Sequence, residues 1–496
     1  MSLGLSVTDL NDLRKIDAAL KQNDPKGQFA SLDMGEVIIE RDISAYLCPL
    51  LDKYLNRVND ATPVLAGSRA RVGVIVDRTD ILRNGASLKS NLTEQLRQQF
   101  DVEMIVLDDG QDVLHATEAV LDQAAALAVG CDAIVSIGGG TISDIAKIAA
   151  LRNAIQVHIL VQTAASVDGY TDNFSVILEK GVKKTILSRW PQAVLADVQT
   201  IVDAPSTLTA AGMGEMMSMF CAPGDWYLAS QIGVDHTFTP VLLELLSLCG
   251  QNIEKWSQGL TTGIYSDVEQ LTRALDLRGI VTGVGGTTAT LSGMEHLFSH
   301  MLDMIASYNH TKMGSHGAQV GVGAVLRAAT WDVFCHRMQT EGLPVDAIEW
   351  DETTHQDHAK QAFGSLDPSG KIGQECASRY TTKLRLLKTS QDRFFDVLSN
   401  WDTHQVAHNA LTFSTDKIAQ YLNRANAPMH INDLGLDVAA EQLRWIIANS
   451  HFMRERVTIA DFMYLAGWFD QTGLDDIVKT AERIIAQTRG TGQNAR

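Results

Sequence analysis

From Arg71 to Ala196, short runs of β-branched and apolar residues alternate with amphipathic stretches. Val72–Val76 reads as a strand and is followed by the helical stretch Ser87–Phe100. Val102–Leu107 reads as a second strand, followed by the alanine-rich Ala116–Val129. Ala133–Ile137 leads through three glycines into the helix Ile142–Arg152, and Val157–Val161 reads as a fourth strand. Alternation at this spacing predicts right-handed βαβ units and a parallel sheet covered on both faces. Ser175–Leu178 and Thr185–Leu187 flank Lys180-Gly181 and read as a hairpin appended to that sheet. Ahead of Arg71 the pattern yields one helix, near Leu47–Val58.

Past Pro205 the apolar positions recur at helical period with few β-branched runs. The expected architecture is an α/β parallel-sheet dinucleotide domain over residues 1–203 and an all-α domain over residues 204–496. A chain of 496 residues is too long for one core. Residues 342–371, rich in Asp, His and Gln, read as a loop-bearing insertion between helices.

Charge narrows the partners. A formal net charge of −18 argues against nucleic acid, which needs clustered Lys and Arg, and any phosphate pocket must be positive locally. The six cysteines are scattered without a C-x-x-C pair, a pattern of reduced thiols in a cytoplasmic protein. No charged and then apolar leader opens the chain, and no run of 18 apolar residues occurs, so no membrane association is expected. A small-molecule substrate and a homo-oligomer are the expected partners.

The candidate chemistry starts at the glycine loop. Gly138, Gly139, Gly140 and Thr141 stand between a buried strand and a helix, where backbone N–H groups face an anion such as a dinucleotide pyrophosphate. It is not a G-x-G-x-x-G fingerprint, and a plain tight turn is the alternative. Asp144 and Lys147 lie three apart on the helix that follows, where a salt bridge competes with ligand contact. Asp77 ends the first strand, positioned either for an adenine ribose or to cap the turn Arg78-Thr79-Asp80.

Farther on, His296 and His300 fall on one helical face, His316 opens another helix, and Glu215 supplies a carboxylate. Two imidazoles and a carboxylate suit a catalytic divalent metal, although spacing alone leaves their convergence open.

Taken together, the ordered motifs resemble the glycerol-1-phosphate dehydrogenases of the dehydroquinate-synthase and iron-alcohol-dehydrogenase type. They are Gly138-Gly-Gly-Thr141 with Asp144 and Lys147, Thr163-Ala-Ala-Ser-Val-Asp168-Gly169, Pro191-Gln-Ala-Val-Leu-Ala-Asp197, and Ala204-Pro205 with Ala211-Gly212-Met-Gly214-Glu215. Asp225-Trp226, Ser292-Gly-Met-Glu295-His296-Leu-Phe-Ser299-His300, His316-Gly-Ala-Gln319-Val-Gly-Val-Gly323 and the run Gly373 to Lys383 continue the order. The resemblance implies a dehydroquinate-synthase-like fold and hydride transfer with NAD or NADP. It also implies one divalent metal on Glu215, His296 and His316, with zinc expected and nickel or iron open. Asp168 is then the acceptor for substrate hydroxyls, Thr163 and Ser166 are cofactor contacts, and His300 is a proton-relay candidate. The implied substrate is a phosphorylated triose or glycerol.

Three departures mark this chain. Glu215 stands where the dehydrogenases carry Asp, and Glu is what the synthases use there. Gln162 replaces a Pro. Thr287-Thr-Ala-Thr290 replaces a Ser-Arg-Pro and so removes a basic phosphate donor, for which Lys183, Lys184 or Arg189 is a candidate replacement. A synthase-like cyclase, a dehydrogenase of an unphosphorylated polyol and a non-catalytic nucleotide-binding relative are the rival readings.

Overall fold

A computed structural model describes residues 3–61, 69–179, 182–343 and 348–493. The chain forms two compact units, one of Met1–Gly212 with Val241–Gly286 and the other of Met213–Pro240 with Thr287–Arg496.

The first unit is built on a six-stranded parallel sheet. Its strands are β1 (Glu36–Glu40), β2 (Arg71–Val76), β3 (Asp101–Val106), β4 (Ala133–Gly138), β5 (Val157–Gln162) and β8 (Ala193–Asp197), in the order β1-β8-β5-β4-β2-β3. Every residue of β4, β5 and β8 is buried, as befits strands covered on both faces. Side-chain alternation splits β4 between two cores. Val135 and Ile137 meet Leu47, Leu51, Leu88 and Leu92, from helices α1 (Ser44–Ala61) and α2 (Leu88–Arg97). Ile134 meets Val120, Ala124, Ile145 and Ala149, from α3 (Glu118–Leu127) and α4 (Gly140–Arg152).

The four strands expected from the pattern are present, as is the helix near Leu47–Val58. The pattern did not reveal β1, which pairs in parallel with β8 from Glu36↔Ala193 to Glu40↔Asp197. The hairpin is also present, as β6 (Phe174–Glu179) and β7 (Val182–Leu187) in antiparallel register. It is a separate two-stranded sheet, joined to neither edge of the large one. Lys180 and Gly181 lie outside the described residues.

The second unit is helical, and among the described residues no strand follows Asp197. Its glycines decide how closely the helices approach. Helix α5 (Ser206–Met216) carries Glu215 at its end, α6 is Ala222–Ile232, α8 is Met294–Asn309 and α9 is His316–Thr340. A Cβ on Gly214 would run into the backbone carbonyl of Gly317, and one on Gly323 would sit 3.0 Å from the Glu295 Cα. Only glycine permits these backbone contacts.

A single boundary near residue 203 does not describe this division. Val241–Gly286 belongs with the first unit because its long helix α7 (Tyr265–Gly285) packs on β1 and on the short helix Val198–Asp203. A purely helical pattern carries no record of which core a helix joins. The stretch 342–371 also differs from the expected loop, since Glu352–Gly364 is a helix. Asp351 caps it by accepting from the Thr354 N–H at 2.9 Å, and His355, Ala359 and Phe363 form its buried face at i, i+4 and i+8. Residues 344–347 lie outside the described residues. Among the described residues, no helix is long and apolar enough to cross a membrane.

Candidate functional site

Glycines set the space at the start of α4. Gly139 is its N-cap, and no side chain caps the first turn. A Cβ added at Gly139 would meet only the Tyr170 hydroxyl, at 4.0 Å, so the glycine leaves free space over the helix end. Gly138 and Gly140 are tighter, because Cβ atoms there would press on Ile142 and on Val167 at 2.8 Å. Thr141 and Ser166 are half-buried around this loop and Thr163 is buried.

Lys147, three residues on from Asp144, points inward. Its ammonium donates to Asp172 Oδ1 at 2.7 Å and to the Gly169 carbonyl at 2.8 Å, and lies 3.4 Å from Asp144. Burial raises the Asp144 carboxyl to about 7, with Lys147 opposing the shift and Asp172 adding to it. The salt-bridge reading of this pair is therefore the one with direct contacts. Lys147 ties the 168–172 loop to α4. Asp77, at the end of β2, accepts from Lys89 at 2.7 Å and from the Thr79 hydroxyl at 2.8 Å, so a ribose hydroxyl there would join or displace existing donors.

Asp168 is held by a residue that sequence reasoning missed. The fully buried Arg278 on α7 donates to Asp168 Oδ2 from Nε at 3.2 Å and from Nη2 at 3.0 Å. A two-point guanidinium contact fixes both charge and orientation of the carboxylate. Their 110-residue separation left no local signal.

In the second unit, Glu215, His296 and His316 come together, each with a ligand-type atom within 4.8 Å of the others. His296 Nε2 is 3.3 Å from Glu215 Oε1, and His316 Nε2 is 3.7 Å from Glu215 Oε2. The other ring nitrogens face supporting groups. His296 Nδ1 lies 3.0 Å from Glu295 Oε1. His316 Nδ1 lies 2.9 Å from Ser299 Oγ, which donates to Gln319 Oε1 at 2.7 Å. Gln319 is fixed in turn through Nε2 to Asp303 at 3.1 Å. Because the Ser299 proton is committed to Gln319, His316 Nδ1 must be the donor, which leaves its Nε2 lone pair turned toward Glu215. Outer partners of this kind orient imidazole ligands in metal sites. Burial works against a proton on His296, but Glu215 and Glu295 outweigh it and raise the group to about 9. This donor set, three converging ligand atoms with both Nδ1 positions already engaged, fits a divalent cation.

His300 is nearly buried on the same face of α8, its ring 6.1 Å from that of His316 and 6.5 Å from that of His296. Two of the three candidate phosphate donors have other partners. Lys184 pairs with Glu179 at 3.0 Å, and Arg189 donates to the carbonyls of Ile155 and Gln156.

The iron-containing alcohol dehydrogenase family model matches residues 55–205. Glycerol-1-phosphate dehydrogenase [NAD(P)+] of Thermococcus sibiricus is 30% identical over 265 residues, covering 52% of this chain and 72% of that protein. The enzyme of the same name from Pyrococcus furiosus is 30% identical over 260 residues, covering 51% and 72%. Among solved structures, a 1,3-propanediol oxidoreductase superposes with a TM-score of 0.54 at 15% identity, covering 93% of this chain and 99% of that one. A probable glycerol dehydrogenase from Sinorhizobium meliloti 1021 gives 0.51 at 14% identity, covering 91% and 97%. The structural likenesses establish the fold, and NAD(P) with a divalent metal fits the sequence relatives. The chain belongs to the family of NAD(P)-linked glycerol-1-phosphate dehydrogenases, among the iron-containing alcohol dehydrogenases.

Proposed function

We propose that this protein interconverts sn-glycerol 1-phosphate and dihydroxyacetone phosphate by hydride transfer with NAD(H) or NADP(H). The observation that carries the reading is the convergence of Glu215, His296 and His316 with both Nδ1 atoms braced from behind. These three residues would hold a divalent metal, zinc in our reading, which supplies Lewis-acid polarisation of the substrate oxygen while the nicotinamide supplies the hydride. Glu295 and Ser299 keep the two imidazoles aimed, so less side-chain entropy is lost when the site loads. The Gly138–Thr141 loop and the first turn of α4 receive the cofactor pyrophosphate, with Asp144 close by, Asp77 at the adenine ribose, and Thr163 and Ser166 as further contacts. Asp168, clamped by Arg278, accepts a substrate hydroxyl. His300 takes up or delivers the hydroxyl proton.

The test is a screen of dihydroxyacetone phosphate, dihydroxyacetone and other small carbonyls with NADH and NADPH, after loading with zinc, nickel or iron. Net oxidation of reduced cofactor with dihydroxyacetone phosphate supports the proposal. Turnover of a sugar phosphate with no net change in cofactor would instead indicate a synthase, the reading that a glutamate at 215 favours.

A further inference from the structure

The second unit contains a cation whose counter-charge is missing. Arg456 is half-buried in the short connection Arg454–Thr458, and among the described residues it has no ion pair with a carboxylate. Its guanidinium donates to the Thr288 hydroxyl at 2.6 Å and to the Ser292 carbonyl. The first acceptor lies within the segment Thr287–Thr290, which carries no basic residue, and the second lies two residues beyond it. The carboxylates that Arg456 senses have other commitments. Asp225 accepts from Arg327 at 2.6 Å, from the Met294 N–H at 3.1 Å and from the Ile459 N–H at 3.3 Å. Glu295 accepts from the Gly293 N–H at 2.6 Å and braces His296, and Asp235 takes the Thr237 hydroxyl at 2.6 Å. Burial and the neighbouring charge of Arg454 push Arg456 down to about 10, the mark of a cation held without close compensation.

The position is also fixed. Asp225 accepts from the first N–H groups of α8 and of helix α10 (Ile459–Leu465) together, so the Arg456 connection is tied beside the start of the histidine helix. Thr458 adds a cap, its N–H donating to Asp461 at 2.7 Å. Ser292 lies just ahead of α8, and Glu295 in the first turn of that helix both interacts with the Arg456 charge and braces His296.

We infer that Arg456, with the Thr288 hydroxyl it holds, is the phosphate-recognition point for the substrate, restoring from a distant connection the basic group absent from residues 287–290. The inference rests on the phosphorylated-substrate reading above. Two guanidinium bonds go to neutral oxygens, so the remaining N–H donors and the whole charge are available to a dianion. Thr288 accepts from Arg456 and so has its own proton to donate to the phosphate.

The experiment compares kcat/KM for dihydroxyacetone phosphate and for dihydroxyacetone in the wild type, Arg456→Ala and Arg456→Lys, each loaded with metal. The ratio of the two is expected to fall about tenfold to a hundredfold in the Ala variant and to recover in part in the Lys variant. The loss should lie mainly in KM. A wild-type ratio near one would overturn the phosphorylated-substrate reading itself. A high wild-type ratio that survives in Arg456→Ala, including through an equal loss on both substrates, would overturn only the role of Arg456 and make it a structural clamp. If the Ala variant does not fold, Arg456→Gln and Arg456→Lys carry the same comparison.

Discussion

Glu215 and Asp225 are both buried acids in the helical unit, ten residues apart in sequence, and their surroundings separate a working carboxylate from a structural one. Asp225 is saturated by Arg327, a cation at every accessible pH, and by two backbone N–H groups from helix starts. Arg327 in turn lies 2.7 Å from His408 and, among the described residues, forms no ion pair with a second carboxylate. Glu215 faces two imidazoles, groups that carry no permanent charge and whose other nitrogens are braced. Burial is the same for both. The lesson is that partner type, and not burial, marks the ligand: a fixed guanidinium closes a site, whereas oriented imidazoles, which can give up a proton, leave one open for a cation.

The comparison breaks most decisively at the imidazoles. Glu215→Ala, His296→Ala and His316→Ala should each lose bound metal and roughly a thousandfold in kcat, the several kcal/mol that metal polarisation contributes. Thermal stability should change little in the metal-free state. Elemental analysis and a melting curve check this together, and full metal occupancy in either histidine variant would sink the assignment.

The opposite pattern is expected at the structural acid. Asp225→Asn leaves Arg327 charged and buried beside a neutral amide, and removing one member of such a pair typically costs about 3–5 kcal/mol. Denaturant unfolding should show that loss, while metal affinity measured below the unfolding transition should fall much less than in the Glu215 variant. A stable Asp225→Asn protein without metal would reverse the roles assigned here.

The distinction sharpens one step farther out. Ser299→Ala removes the acceptor that fixes His316 Nδ1 and leaves Gln319 without its donor. Losing such an outer partner typically costs about 10- to 100-fold in metal affinity or activity. Titration with a competing chelator reads this directly, and an unchanged affinity would mean that helix packing alone orients His316.

Much of this was legible in the sequence, and the limits have physical causes. The strands β2, β4 and β5 announce themselves because a doubly covered strand is largely apolar, and β3 does so by alternation, with Asp101 and Glu103 exposed on either side of Val102. The three metal-ligand residues stand out by type and by likeness to the family. Their convergence does not, because it depends on glycine contacts between Gly214 and Gly317 and between Gly323 and Glu295, which spacing cannot express. Arg278 and Arg456 were missed for the same reason: each acts on a segment more than a hundred residues away. Ser299 and Gln319 did carry a signal. They lie within the two histidine motifs, at i+3 from His296 and from His316, where a helix places neighbours.

A third buried acid, Asp276 on α7, completes the comparison because it has neither a cation nor imidazoles. It is fully buried, and among the described residues neither carboxylate oxygen has a hydrogen bond of ordinary geometry. Burial raises it to about 8, the Asp168 charge adds to the shift, and the Gln162 amide and Arg273 offset it only in part. At neutral pH it is therefore mostly protonated in the folded chain and ionised in the unfolded one. Between the unfolded value near 4 and the folded value of about 8, the folded state holds the extra proton, so stability must fall as pH rises through that window and level off above it. Asp276→Asn mimics the protonated form and can donate to Gln162 Oε1, which also lacks a partner. The variant should melt a few degrees above the wild type at pH 8, with the gap closing toward pH 5. Parallel melting curves across that range would show that Asp276 is already ionised in the fold and that some donor reaches it.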